Sequence, residues 1–216
     1  MSVEVAEPAP RPRLKGVSHA LASLAAVPAG GWLIAQAPNT GSRVATVAYV
    51  VTMVTMFAVS ATYHRFRWPP GQRRVIKAVD HMAIFGFIAG SYGPLGVLRL
   101  SPPAAATWLG ALWVGAVVGS LVKFRTLDRL GGPADLLYGV LSGSVLLLLP
   151  ALGQRLEPAE LALLLGGLAC YGLSSACLMT RRPYAWPATF GYHECAHLWV
   201  VGGAAIHIAF YAMLFR

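Results

Sequence analysis

Charged side chains are scarce in these 216 residues: they make up 12% of the chain, and only 8 of them are acidic. A water-soluble domain carries about 25%, so a solvated surface of ordinary polarity cannot be built from this sequence. Cysteine is scarce too. Cys170, Cys177 and Cys195 all lie inside apolar runs, and an odd set of that kind is no disulfide framework; they read as small core residues. No GxSxG sequence is present, which leaves no serine-nucleophile elbow. No internal repeat is strong enough to suggest a transporter of two homologous halves. The opening stretch, MSVEVAEPAPRPRLKG, holds prolines, two glutamates and no apolar core, so residues 1–16 read as a short flexible tail and not a cleaved signal peptide.

What the chain does have is apolar length. Hydrophobic residues make up 56% and the mean hydropathy is +0.61. Apolar runs bounded by arginine, proline or glycine lie at 17–37, 44–64, 79–98, 104–122, 134–152, 159–179 and 192–215. A span needs roughly 20 residues, so seven of them consume most of the chain and leave no room for a separate soluble domain. Runs of this length and even hydrophobicity suit helices rather than the alternating strands of a barrel. The expected fold is an all-α membrane protein, a seven-transmembrane-helix bundle formed by a single domain over residues 17–216. Pro94 in the third span, and the glycine pairs 166/167 and 202/203, read as kink or close-packing positions.

The net charge of +9 invites a nucleic-acid reading, but the cations sit between apolar runs and form no basic face, so no nucleic-acid partner is expected. They sort instead by side. Arg11, Arg13, Lys15, Arg65, Arg67, Arg73, Arg74, Lys77, Lys123, Arg125, Arg129, Arg181 and Arg182 fall on one side, against Arg43, Arg99, Arg155 and Arg216 on the other. The positive-inside rule then makes the N-terminus cytoplasmic and, after seven spans, puts the C-terminus outside.

Ionisable groups inside a bilayer are costly, so each needs a partner or a purpose. Ser60 and His64 lie four residues apart at the cytoplasmic end of the second span, Asp80 and His81 open the third, and His193 and His197 open the seventh. All sit at one depth. Imidazoles at i and i+4 reach the same point from one helix face, and His64 supplies a third, which suits Zn2+ with an open fourth position. No thiolate cluster argues for iron–sulfur or copper. Asp80 is the natural hydrogen-bond partner in the site or holder of a metal-bound water. His207 falls on nearly the same stripe as His193 but about 15 Å from His197, too far to share an ion, so it lines a polar cavity or is a hydrogen-bonded core residue. His19, in the first turn of the first span, reads as interfacial. HECAH also fits the HExxH pattern in which Glu194 is the general base of a protease, a reading that leaves Ser60 and His64 unexplained.

Three blocks, SATYH at 60–64, VDHMAIFGFIAGSYGPL at 79–95 and HECAHLWVVGGAAIH at 193–207, resemble in sequence and order the hemolysin III branch of the progestin and adipoQ receptor (adiponectin receptor-like) family. The resemblance covers every span. It implies a seven-helix bundle with an inside N-terminus and a zinc ion near the cytoplasmic face, held by His64, His193 and His197, with Asp80 and Ser60 around the metal-bound water. The family's Glu194 position can be Gln, and its third span more usually ends in Thr-Pro where this chain has Gly93-Pro94. Ceramidase-like membrane hydrolases share the His, Asp and Ser pattern. The implied chemistry is zinc-dependent hydrolysis of a lipid amide or ester, with a membrane lipid as substrate or ligand. A sensor whose zinc pins the helices is the alternative, and a pore-forming hemolysin comes third, because a uniformly apolar bundle offers no amphipathic pore lining. Arginine and alanine usage suits a bacterial inner membrane.

Overall fold

The computed structural model describes residues 12–127, 132–183, 186 and 188–216. Arg129 and residues 1–11 of the expected tail, Arg11 among them, lie outside the described residues. Apart from one isolated bridge between Trp186 and Phe190, the described chain is helix and turn. The helices are α1 (Val17–Gln36), α2 (Thr40–Arg65), α3 (Pro70–Ser91), α4 (Gly93–Arg99), α5 (Pro102–Arg125), α6 (Pro133–Gly143), α7 (Leu149–Leu152), α8 (Pro158–Thr180) and α9 (Tyr192–Leu214). A 3-10 turn, Ser144–Leu148, joins α6 to α7. Among the described residues, seven spans are long and apolar enough to cross a membrane, α3 with α4 forming one (Pro70–Arg99) and α6 with α7 another (Pro133–Leu152).

The helix starts follow from local chemistry. Pro70, Pro102, Pro133 and Pro158 each open a helix, where the missing N–H would have had no partner and the fixed φ is already helical. The Asn39 side chain accepts the Ser42 N–H at 2.8 Å and caps α2, so that helix begins four residues before its apolar run. The Glu160 carboxylate accepts the Glu157 N–H at 2.8 Å at the start of α8. The third span begins nine residues earlier than hydropathy indicates, because α3 continues through the charged turns carrying Arg73, Arg74 and Lys77. Pro94 does interrupt this span. The helix breaks at Tyr92, and the Tyr211 hydroxyl donates to the Ser91 carbonyl beside the break.

The polarity runs outward in the sense a lipid solvent requires. Tyr49, Met53, Phe85, Leu95 and Phe210 are fully buried, while Leu24, Val114, Leu147 and Met179 face out. The first helix packs on α2 and α9, α2 on α3, and α8 on α9, so the bundle closes between its first and last spans. Two glycines allow the α8–α9 approach. A Cβ on Gly167 would lie 2.2 Å from His207 Cδ2, and one on Gly203 would lie 2.6 Å from the Tyr171 ring, whereas Gly202 has open space. Gly166, with Ile206 4.0 Å away, is not a close-packing position either.

Candidate metal centre

The last turn of α2 and the first two turns of α9 meet at the end of the bundle where α1 begins. His64 and His193 bring their Nε2 atoms within 3.1 Å of each other, although 129 positions separate them in sequence. His197 completes the group. One ligand nitrogen from each of the three rings lies within 4.8 Å of the other two, and no other cluster of three or more His, Cys, Asp or Glu side chains among the described residues meets that condition. His64 and His197 are buried and His193 is half-buried. Ring centroids stand 4.5 Å apart for His64 and His193, 4.5 Å for His193 and His197, and 5.0 Å for His64 and His197.

The donor set fits a borderline divalent ion. Two nitrogens about 2.0–2.1 Å from a tetrahedral zinc stand about 3.3 Å apart, close to the 3.1 Å observed for His64 and His193. That separation equally suits an N–H···N hydrogen bond between two neutral imidazoles. Its partner on the unused side is missing for one ring: the Nδ1 of His197 is buried with no hydrogen bond.

Asp80 and Ser60 are both buried, and the Ser60 hydroxyl hydrogen-bonds the Asp80 carboxylate. Ser60 lies one helical turn before His64 on α2, about 6 Å along the axis, so the pair sits just deeper in the bundle than the imidazoles. Asp80 is not one of the clustered ligand atoms. The carboxylate also lies 3.5 Å from His81 Nδ1, which donates to the Lys77 carbonyl at 2.8 Å and so belongs to its own helix.

Glu194 is turned away from the role HExxH would give it. Its Oε2 accepts the Gly191 N–H at 2.8 Å and caps α9. His207, which sequence left between cavity and core, is a core residue: its Nε2 lies 3.3 Å from the Leu164 carbonyl and its ring packs on Gly167.

Three further features escaped the sequence reading. His19 is no exposed boundary residue: it is 3% exposed and its ring stacks on His197 at 3.8 Å and 6°. Its position in the first turn of the first span puts it at the same depth as the other histidines, and that signal was available. Lys123, counted among the loop cations, is 2% exposed and donates to Asp135 at 2.6 Å, a pairing only the tertiary fold reveals. Cys177 on α8 and Cys195 on α9 bring their sulfurs within 3.8 Å; both are half-buried, and only Cys170 is a buried core thiol.

The chain's N-terminal approach runs over this centre. The Arg13 and Leu14 amides donate to the Ala188 and Thr189 carbonyls at 3.1 and 3.2 Å, and the Arg65 guanidinium donates to the Arg13 carbonyl at 3.2 Å. Gly16 then turns the chain into α1 at φ 76°, and a Cβ there would stand 2.9 Å from His64 Cβ, so glycine serves both the left-handed backbone and the close approach.

Comparison with known proteins gives a consistent picture. The family described as haemolysin-III related matches residues 9–208. Hemolysin-3 of Bacillus cereus is 27% identical over 202 residues, covering 92% of this chain and 88% of that protein. The Hemolysin-3 homolog of Bacillus subtilis (strain 168) is 26% identical over 202 residues, covering 92% of this chain and 91% of its own. The monocyte to macrophage differentiation factor of Homo sapiens is 25% identical over 205 residues, covering 92% and 82%.

Proposed function

The chain belongs to the haemolysin-III related family of integral membrane proteins, and from that premise we propose that it is a zinc-dependent hydrolase acting on an amide or ester bond of a membrane lipid. The observation that carries the reading is the convergence of three imidazoles from two helices, with a buried, hydrogen-bonded carboxylate one turn deeper. A lone buried histidine needs only a core role; three sharing one point suit a common ligand.

His64, His193 and His197 would hold the ion. Bound zinc supplies a Lewis acid for the carbonyl and a water that is nucleophilic at neutral pH. The chain's own part is positional. Asp80 would hold a water and accept a proton on a carboxylate oxygen, and Ser60 would fix the carboxylate by its hydrogen bond. The outer faces of the spans are apolar, and the membrane they suit is one we take to be the bacterial inner membrane, with the centre toward the cytoplasm.

The test is release of fatty acid from a panel of lipid amides and esters by purified protein in lipid nanodiscs. Activity lost on chelation and in His64→Ala and Asp80→Ala supports the reading. Metal bound at one equivalent with no lipid hydrolysed would instead support a non-enzymatic sensor, a reading favoured by one feature: the centre joins α2 to α9 at the seam where the bundle closes, where an ion would act as a clamp.

A further inference from the structure

His19 adds a fourth imidazole to the three-histidine group, and its packing is not that of a core residue. The ring lies flat on His197, with centroids 3.8 Å apart and planes within 6°, and meets the edge of Phe57 at 5.0 Å. It is 3% exposed, yet neither ring nitrogen has a side-chain hydrogen-bond partner, and the nearby His197 backbone lies outside good hydrogen-bond geometry. Burying polar nitrogens so poorly partnered is costly, and beside Phe57 an apolar ring of similar size would fill the same space without that cost. The histidine is also held from several sides. Gly16 packs on His64, and the backbone at Arg13 and Leu14 is tied to the segment that leads into α9. Its backbone is therefore fixed relative to both helices that carry the three-histidine group.

We propose that His19 is a ligand-binding residue of the same centre, donating a ring N–H to the oxygen of a carbonyl-type ligand seated beside His64, His193 and His197. Stacking on His197 keeps the ring in place, so one side chain recognises the ligand's oxygen without itself joining the metal. The proposal rests on the reading that the three histidines hold a metal, and the experiment separates the two.

The full chain in nanodiscs is loaded with Co2+ and titrated with acetohydroxamate, a small carbonyl oxygen donor, following the visible spectrum of the cobalt. Wild type and His19→Phe are expected to take up one Co2+ per chain. His19→Phe keeps the ring and loses the nitrogens, and should bind the probe about tenfold more weakly, the effect of one lost hydrogen bond. His19→Gln, which loses the ring and keeps an N–H, should bind it with close to wild-type affinity. His19→Leu repeats the comparison should the phenylalanine variant not be recovered folded. Equal probe affinity in wild type and His19→Phe, or equal loss in His19→Gln and His19→Phe, overturns the role of His19 alone. Failure of wild type to bind Co2+ overturns the metal reading and this proposal with it.

Discussion

Removing one of three imidazoles that share a point differs from removing a buried histidine that serves packing. His193→Ala is expected to take metal content from one equivalent to near zero, by elemental analysis of purified protein, because two nitrogens do not make the closed side of a tetrahedral site. Equal metal in wild type and variant would sink the centre. Glu194 makes the opposite prediction. Glu194→Gln keeps an acceptor for the Gly191 N–H and should leave metal content and hydrolysis close to wild type, while Glu194→Ala should cost about 1 kcal/mol of thermal stability through the lost cap. Abolished hydrolysis in Glu194→Gln with normal metal content would restore the protease-type base. His64, His193 and His197 were legible because spacing and depth are properties of sequence once spans are drawn. The stacking of His19 was not, since hydropathy places a residue along the membrane normal and says nothing of its neighbours around the bundle.

At the scale of helices, lipid makes sequence unusually readable, because a span must satisfy its own backbone and be apolar outward for its whole length. All seven runs are helices in the structure. What hydropathy misreads is where a helix ends: α3 carries Arg73, Arg74 and Lys77 beyond its apolar stretch, and proline or a side-chain cap, not the change in polarity, sets the start. Contacts between helices are the second hidden layer. Gly167→Ala should lower the midpoint of thermal unfolding, at a cost of about 1–3 kcal/mol, because its methyl group meets the His207 ring, and adding His207→Ala should recover part of the loss. The Lys123–Asp135 pair between α5 and α6 is asymmetric, with side chains 2% and 27% exposed. Asp135→Asn, which leaves the buried ammonium without this carboxylate, should destabilise by about 3–5 kcal/mol. Lys123→Met, which leaves a carboxylate near water at a helix N-terminus, should cost less. Equal losses in the two unfolding curves would contradict that account.

For the molecule as a whole, the sorting of cations predicts one orientation. Alkaline phosphatase fused after Arg216 should be active in a bacterial host, and green fluorescent protein at the same place dark, with the reverse pattern for fusions in the loop between α2 and α3. The same arithmetic shows how far charge counting reaches. Lys123 enters it as a free loop cation and ends buried against Asp135, so the count describes the chain as it is inserted rather than as it is packed.

The closure of the bundle between α1 and α9 also has a meaning in time. His64 is made 129 residues before His193, roughly 6–25 s of synthesis, and His19 earlier still, so early histidines stand in the membrane without their partners until the last span arrives. A chain stopped anywhere before α9 has at most six spans and no centre. Capture of an ion there would mark the arrival of α9 in the bundle.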